Sequence, residues 1–171
     1  MSQPEARVRS LHPGDRFEHT PPHDARVQFV LADLEREYDT RYGNLFGEPA
    51  STEINRYGTD AFAAPTGTFL LLLREGKPIS AGAFMAVDES TVEFKRMWTS
   101  ADHRGNGYAQ LVLDELEAEA RRRGKSAVVL STGPRQPEAV RLYLRAGYTP
   151  LFDVTADPET IVIHHFRKEL A

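Results

Sequence analysis

The chain contains no cysteine in its 171 residues. Disulfide bonds, thiolate metal sites and cysteine nucleophiles are therefore all excluded. Long apolar runs are also missing, because the most apolar segment, Phe69 to Leu73 with its neighbours, is far shorter than the roughly 18 residues that a membrane helix needs. The first 25 residues lack the apolar centre of a signal peptide. These absences predict a cytoplasmic protein without a membrane segment.

Basic residues are not in excess, since 21 Lys and Arg stand against 25 Asp and Glu, which gives a formal charge of −4. Domains that bind nucleic acid usually carry a basic patch and a strongly basic composition, so no nucleic-acid partner is expected. An apolar fraction of 40% and a charged fraction of 27% are close to the globular average. The composition therefore predicts one folded domain, in which any anionic ligand is held by local features of the chain.

The beginning of the chain carries turn signals, and regular helix signals start at Asp24. Residues 1–24 are predicted to form an N-terminal tail or a loosely packed strand and loop, with a short strand around Ala6 to Leu11. Residues 25–171 are predicted to form a single domain. Asp24 is a good N-cap for an amphipathic helix that ends near Gly43, and a second helix is predicted from Ser51 to Phe62.

The rest of the chain alternates between strand and helix patterns. Three strands separated by turns predict an antiparallel meander, and a strand that leads through a helix to another strand predicts a parallel pair. The predicted elements are strands at Thr68–Leu73, Ile79–Val87 and Thr91–Thr99, a helix from about Gly107 to Gly124, a strand at Ala127–Leu130, a helix at Glu138–Ala146, and strands at Tyr148–Phe152 and Ile161–Arg167. We therefore expect an α/β fold with a mixed sheet and helices packed on it.

The segment Arg104-Gly105-Asn106-Gly107-Tyr108-Ala109 lies between a predicted strand and a predicted helix. Its two glycines let the backbone turn so that several N–H groups point into one concavity. The following helix adds its own unpaired N–H groups and the positive end of its dipole. This arrangement predicts a site for phosphate or pyrophosphate, with Arg104 at its rim. A plain connecting turn is the alternative interpretation.

Three other types of site fail on residue spacing. A dinucleotide fingerprint needs a third glycine where the chain has Gln110, and a phosphate-binding P-loop ending in Gly124-Lys125-Ser126 needs a glycine where the chain has Glu119. His164 and His165 are adjacent on a predicted strand, so they point to opposite faces and do not chelate one ion. Both histidines are predicted to be ordinary surface residues, and no metal is expected.

Four segments in one order resemble the GCN5-related N-acetyltransferase (GNAT) family. The matching segments are the strand Val92–Thr99, the glycine loop Arg104–Ala109, the strand Val128–Thr132 and the helix motif Gln136–Tyr148. Three residues depart from the family pattern, namely Gln136 in place of Asn, Ala101 in place of Pro and Tyr148 in place of Phe. The resemblance implies a mixed, mostly antiparallel sheet with a splayed parallel strand pair and flanking helices.

The same resemblance implies a binding site for acetyl-CoA as the acyl donor. Backbone groups of Met97 to Thr99 would pair with the pantetheine arm, and the amides of the glycine loop would hold the pyrophosphate. The cofactor-binding residues that it implies are Met97, Trp98, Thr99, Arg104, Gly105, Asn106, Gly107, Tyr108, Ala109, Gln136 and Ala139. A backbone N–H near Met97 or Trp98 would stabilise the developing oxyanion.

Glu93 is the candidate general base. An aliphatic amine with a pKa of about 10.4 is protonated at neutral pH, so a base must remove a proton, directly or through water, before the amine attacks. By strand alternation Glu93 is expected to share one face with Lys95, Met97 and Thr99. The alternatives are a salt bridge from Glu93 to Lys95 and a mechanism in which water is the base.

Tyr143 matches the position of the family's general acid, which would protonate the leaving thiolate. The alternative is a packed core aromatic, because Tyr143 also lies on the apolar stripe of its helix. Lys95 and Arg96 are predicted to be solvated or paired charges, and Trp98 is predicted to be a core residue.

The predicted function is N-acetylation of a primary amine of a small molecule by direct attack. The alternatives are a protein or peptide N-acetyltransferase and a CoA-binding sensor without turnover. The two leading helices and the loop Arg41 to Glu53 would wall the acceptor pocket. Several acidic side chains there could favour a cation, namely Glu35, Glu37, Asp39, Glu48 and Glu53. A homodimer is considered as well, because the terminal strands offer an edge.

Overall fold

The computed structural model describes residues 11–171, except for the side chain of Thr59. The strand predicted around Ala6 to Leu11 therefore lies, apart from Leu11, outside the described residues. A strand forms instead at Arg16–Thr20, where the turn signals predicted a loop. It pairs antiparallel with the next strand of the chain, and the His19 ring bonds Thr68 on that strand (Nδ1 to Oγ1, 2.8 Å).

Seven strands form one sheet with helices on both faces. The strands are β1 (Arg16–Thr20), β2 (Gly67–Arg74), β3 (Lys77–Ala86), β4 (Thr91–Thr99), β5 (Ala127–Thr132), β6 (Thr149–Pro150) and β7 (His164–Glu169). The α-helices are α1 (Ala25–Tyr42), α2 (Ala50–Ile54), α3 (Tyr108–Arg122) and α4 (Pro137–Arg145), and short 3-10 helices lie at Thr59–Phe62, Ala101–His103 and Pro158–Thr160. No helix of the described residues is long and apolar enough to cross a membrane.

The strand order is β1-β2-β3-β4-β5-β7-β6, and every neighbouring pair is antiparallel except β4 and β5. This topology confirms the predicted mixed sheet with one parallel pair. Two predictions of detail are wrong. The helix expected over Ser51–Phe62 is interrupted and consists of α2 and a 3-10 helix, and the strand expected over Tyr148–Phe152 is reduced to the two residues of β6.

Helix α1 packs on one face of the sheet. Asp24 caps it as predicted, because its Oδ1 accepts a hydrogen bond from the Arg26 amide at 2.8 Å. Hydrogen bonds from the Arg26 side chain and amide lower the pKa of Asp24 to about 2. Val27, Val30 and Leu34 are fully buried in a cluster that includes the odd-numbered side chains of β2.

Helices α3 and α4 pack on the opposite face. The apolar stripe of α3 is buried against even-numbered residues of β2 and against Phe84 and Phe94, whose rings stack with centroids 6.0 Å apart. Glu117 lies at one end of this core and is only 4% exposed. Its carboxylate accepts hydrogen bonds from the Tyr148 hydroxyl (2.9 Å) and from Lys168 Nζ (2.9 and 3.2 Å). Tyr148, one of the departures from the family pattern, therefore supplies a polar partner that phenylalanine lacks.

His164 and His165 lie on β7 and face opposite sides, as the alternation of a strand requires. His165 is exposed, but His164 is only 2% exposed and stacks on Phe152 with ring centroids 4.5 Å apart. The prediction that both are surface residues is therefore wrong for His164, because the segment after β6 covers that face of β7.

A β-bulge interrupts the pairing of β3 with β4. Ala81 pairs with Trp98 and Ala83 pairs with Lys95, so Gly82 alone lies opposite two residues of β4. The first of these, Arg96, has a φ of 60°. A Cβ atom on Gly82 would lie 2.6 Å from Met97 Sδ and 2.8 Å from Leu116 Cδ1, so a larger residue here would force these side chains to move.

The bulge changes which side chains of β4 share a face. Met97 packs with the α3 cluster, whereas Trp98 packs with the α1 cluster and donates from Nε1 to Asp33 (2.8 Å). The expectation that Glu93, Lys95, Met97 and Thr99 share one face is therefore wrong at Met97 and Thr99, because the additional residue shifts the alternation. Trp98 is a core residue, as predicted.

Strands β4 and β5 separate toward their carboxyl ends. Their parallel pairing runs from Thr91 with Ala127 to Phe94 with Leu130. Beyond that point β4 continues to Thr99 and β5 continues to Thr132, with no further pair between them. The resulting opening lies at the carboxyl edge of the parallel pair.

Candidate active site

The glycine loop leads directly into the N-terminus of α3. Gly105 and Gly107 have φ values of 75° and 80°, in the left-handed region that favours glycine. Gly107 is the N-cap, and no side chain of the described residues caps the helix. The first amides of α3 and the positive end of its dipole are thus available to an anion. This backbone fits the diphosphate of CoA.

A cavity of about 500 Å³ lies against this loop. It brings together every residue that the family resemblance assigned to the cofactor, and Tyr143 as well. The assigned residues that line it are Met97, Trp98, Thr99, Arg104, Gly105, Asn106, Gly107, Tyr108, Ala109, Gln136 and Ala139. We refer to it as the donor cavity.

Tyr143 lies between the donor cavity and the core. It lines the donor cavity, yet its side chain is only 5% exposed and its ring packs against Tyr148 and Phe166, with centroids 5.8 and 5.4 Å away. Burial raises the pKa of Tyr143 above its usual range. The hydroxyl therefore keeps its proton at neutral pH, as a hydrogen-bond donor needs to do.

A second cavity, of about 540 Å³, lies on the α1 side of the opening, and Glu93 lines it. Helix α1, helix α2 and the loop between them line one side of this cavity, and these are the elements that were predicted to wall an acceptor pocket. We refer to it as the acceptor cavity. Glu93 therefore does not share a cavity with the assigned cofactor residues, except that Gln136 lines both.

Gln136 joins three elements where the two cavities meet. Its Oε1 accepts hydrogen bonds from the Tyr42 hydroxyl (2.7 Å) and from Thr132 Oγ1 (3.0 Å). The Tyr42 ring lies so close to the backbone that a Cβ atom on Gly133 would be 2.4 Å from its hydroxyl oxygen. At this position, where the family usually has asparagine, the longer side chain therefore ties α1 and β5 to the start of α4.

The charges of the acceptor cavity are arranged around Glu53. Lys95 Nζ lies 3.4 Å and Arg96 Nη1 lies 3.5 Å from Glu53 Oε1, and Arg56 Nε lies 2.9 Å from Glu53 Oε2. Lys95 Nζ is also 3.5 Å from Glu93 Oε1, so the salt bridge considered as an alternative for Glu93 is present. Lys95 and Arg96 are paired, as predicted, but Arg96 is buried rather than solvated, with its residue 4% exposed.

Most of the acids that the sequence suggested as a site for a cation already have partners of their own. Glu37 contacts Arg41 and Arg104, and Asp39 accepts a hydrogen bond from the Ala50 amide. Glu48 and Glu53 both contact Arg56, which is why they do not form a free acidic surface.

A chain of ion pairs that sequence reasoning missed lines the donor cavity. Arg104 Nη2 lies 3.0 Å from Glu37 Oε2, Arg41 Nη2 lies 3.2 Å from Glu37 Oε1, and Arg41 also contacts Glu138. Only the Glu37–Arg41 pair has a sequence signal, the helical spacing of four. The other partners come from separate elements. In this arrangement the proposed phosphate ligand Arg104 is held by a carboxylate.

The variant Glu37→Gln is expected to bind CoA more tightly, because it releases Arg104 and removes a negative charge from the donor cavity. Ion pairs of this exposure are worth about 1 kcal/mol or less, so the dissociation constant should fall by up to about fivefold. Calorimetric titration with CoA at low salt measures this change. Glu35→Gln, on the same helix but outside both cavities, is the matched control. An unchanged or weaker affinity of Glu37→Gln would show that the pair does not compete with the nucleotide.

Comparisons with known proteins agree with this geometry. The model of the acetyltransferase (GNAT) family matches residues 31–148. An IAA acetyltransferase from Azospirillum brasilense is 32% identical over 130 residues, which cover 75% of this chain and 80% of that protein.

Two solved structures share the fold. One is a GNAT family acetyltransferase from Elizabethkingia anophelis with acetyl-CoA bound, with a TM-score of 0.64, 14% identity, and coverage of 93% of this chain and 100% of that chain. The other is an aminoglycoside 6'-N-acetyltransferase complexed with coenzyme A, with a TM-score of 0.63, 12% identity, and coverage of 91% and 97%.

The splayed strand pair, the glycine loop at the helix N-terminus and these matches define an acyl-CoA N-acyltransferase. The chain belongs to the acetyltransferase (GNAT) family, and acetyl-CoA is its acyl donor.

Proposed function

We propose that the protein transfers the acetyl group of acetyl-CoA to a primary amine of a small molecule by direct attack, without a covalent enzyme intermediate. The observation that carries the proposal is the placement of two cavities on the two sides of the β4–β5 opening, with Gln136 lining both. One cavity contains the features that bind the donor, and the other contains a carboxylate that can accept a proton. The absence of any cysteine also favours direct transfer.

The donor cavity holds acetyl-CoA chiefly through backbone. The uncapped amides at the start of α3 bind the diphosphate, and the backbone of Met97 to Thr99, which has no partner on the β5 side, extends the sheet to the pantetheine arm. When bound, acetyl-CoA supplies a thioester whose carbonyl carbon accepts the amine. The C–N bond forms and the C–S bond breaks, the amine gives up one proton, and the departing thiolate takes up one proton from solvent.

Glu93 is assigned as the general base, the group that accepts the proton that the amine loses. Its carboxylate lies on β4 upstream of the bulge and lines the acceptor cavity, where it is 23% exposed and can accept a proton directly or through one water. Tyr143, on the donor side, is assigned the hydrogen bond to the leaving thiolate. Because burial raises the pKa of Tyr143, full proton transfer to a thiolate with a pKa of about 8.5 is uphill, so the hydroxyl acts mainly by hydrogen bonding.

The size of the acceptor cavity favours a small molecule. A volume of about 540 Å³ falls within the range of about 300–1,000 Å³ that is typical of small-ligand sites. Relatives of matching fold or sequence are named for small acceptors, IAA and aminoglycosides. These names support a small-molecule acceptor and do not identify it.

Acetyl-CoA consumption tests the proposal, followed as release of free thiol in the presence of polyamines, amino acids, aminoglycosides and peptides. Amine-dependent thiol release with at least one small amine is expected. Turnover of peptides alone would establish the peptide acetyltransferase instead. Binding of CoA in a calorimeter without turnover of any amine would establish a sensor. If CoA does not bind, the assignment of the donor cavity to acetyl-CoA is wrong.

A further inference from the structure

We propose that the acceptor carries a carboxylate next to its amine and an apolar side chain, as an apolar α-amino acid does. This inference rests on the proposed function, because it concerns the acceptor of that same reaction. It follows from the charges, the unpartnered donor and the apolar walls of the acceptor cavity.

The first observation is a pair of opposite charges presented side by side. Glu93 and Lys95 are two residues apart on β4 and upstream of the bulge, so both side chains reach the acceptor cavity. The Glu93 Oε1 and Lys95 Nζ atoms are 3.5 Å apart. The ammonium and carboxylate groups of an α-amino acid are separated by a similar distance. A zwitterion can therefore place its ammonium group at Glu93 and its carboxylate at Lys95, each against the opposite charge.

The second observation is a second cation beside Lys95. The bulge places Arg96 on the α1 side of the sheet, where its guanidinium lies 5.6 Å above the Phe62 ring. Lys95 Nζ and Arg96 Nη1 converge on the same atom, Glu53 Oε1, at 3.4 and 3.5 Å. These distances are longer than those of close charged hydrogen bonds. The two cations thus share one oxygen of Glu53, Lys95 has Glu93 as its only other carboxylate among the described residues, at a similarly long distance, and both retain attraction for a carboxylate of the acceptor.

Arg96 also has an unsatisfied donor. Its Nη2 donates to the carbonyl oxygens of Glu53 and Ile54 at 3.0 and 3.4 Å. Its Nε, in contrast, is buried and has no hydrogen-bond partner among the described residues. A buried donor without a partner is unfavourable, and the guanidinium can lower this cost by turning toward an anion that enters the cavity.

The balance of charge separates a zwitterion from a polycation. Three cations line the acceptor cavity, Arg56, Lys95 and Arg96, and three carboxylates face them, Glu48, Glu53 and Glu93. His165 also lines the cavity, from β7. With histidine neutral, the formal charge is 3 − 3 = 0. A neutral cavity gives no net attraction to a polyamine or an aminoglycoside, whereas a zwitterion requires none.

Most of the remaining wall is apolar or aromatic. Its apolar and aromatic side chains include Tyr38, Tyr42, Phe46, Tyr57, Val162 and Ile163, and Ser131, Thr132 and Gln136 are its uncharged polar members. Phe46, Val162 and Ile163 are 41%, 61% and 48% exposed, so an apolar side chain of the acceptor would cover surface that is otherwise in water. Tyr38 stays neutral, because burial raises its pKa to about 12.

The experiment compares three acceptors that share one ring and one amine. L-phenylalanine carries the carboxylate, L-phenylalaninol replaces it with a hydroxymethyl group, and 2-phenylethylamine lacks it. We expect kcat/KM for L-phenylalanine to exceed the values for both analogues by about ten- to a hundredfold, the effect of a hydrogen bond to a charged group. Lys95→Met should bring the three values close together. Lys77→Met, at the exposed start of β3, is the control that should keep the preference.

Every other outcome of this experiment contradicts either the carboxylate subsite or the proposed function. If either analogue is acetylated as well as L-phenylalanine by the unaltered protein, the carboxylate subsite is absent while the proposed function stands. The same holds if other amines of the panel are acetylated and all three of these are not. If Lys95→Met folds and keeps the preference, Lys95 does not bind the carboxylate and the proposal is overturned. If no amine is acetylated although CoA binds, the proposed function itself fails.

Discussion

Replacement of Glu93 by glutamine is expected to lower kcat at pH 7 by about a hundredfold, because a positioned general base contributes about 10²–10⁴ to a rate. Glutamine keeps the shape of the side chain and cannot take the proton. The affinity for CoA should not change, because Glu93 lies in the acceptor cavity and the assigned cofactor residues line the other one. Thiol release with a saturating acceptor measures kcat, and calorimetry measures the affinity.

The pH dependence of this variant distinguishes a base from a residue that merely holds Lys95. Without a base, turnover depends on amine that is already unprotonated, whose fraction rises about tenfold per pH unit below the pKa of the amine. Glu93→Gln should therefore recover activity steadily as the pH rises. Glu89→Gln, in the exposed turn before β4, is the control. Unchanged turnover of Glu93→Gln at pH 7 would assign the proton to water alone.

The variant Tyr143→Phe is expected to lower kcat by about ten- to a hundredfold and to leave the affinity for CoA unchanged, because it removes one hydrogen bond made to the departing sulfur. The ring contacts with Tyr148 and Phe166 remain in the variant, so the fold should persist. Since burial raises the pKa of Tyr143, its hydroxyl stays protonated through neutral and mildly alkaline pH. Loss of activity from its ionisation is therefore not expected below about pH 10.

Tyr148→Phe is the matched control for this prediction. Its hydroxyl bonds the buried Glu117 carboxylate and does not line the donor cavity. That variant should lower the melting temperature while it keeps kcat. If Tyr143→Phe behaves in the same way, Tyr143 is a core residue and the thiolate is stabilised by another group.

Local signals predicted the elements that position the donor site. The helix from Asp24 to Gly43 has a capping residue and an apolar stripe, and the glycine loop carries its conformational signature in two residues of the sequence. Strand β1 was missed because its stability comes from pairing with β2, more than 45 residues further on, and not from its own pattern. The interrupted second helix shows the same limit, since short helices depend on their packing.

The face of Met97 was predicted wrongly for a related reason. The segment around Arg96 has no glycine of its own to indicate a bulge, and the glycine that permits it, Gly82, lies on the neighbouring strand. The ion pairs of the acceptor cavity also could not be predicted from the sequence. Glu53 and Lys95 come from a short helix and a strand that meet only in the folded chain.

The extra residue in β4 allows one continuous strand to line both cavities from opposite sides. Before it, Glu93 and Lys95 line the acceptor cavity, and after it, Met97 lines the donor cavity. Deleting one residue between Phe94 and Trp98 would restore the regular alternation of the strand. The side chains on the two sides of the deletion would then no longer point into the two different cavities. Engineers who exchange acceptor specificities within this family should therefore place chimeric junctions outside that short stretch.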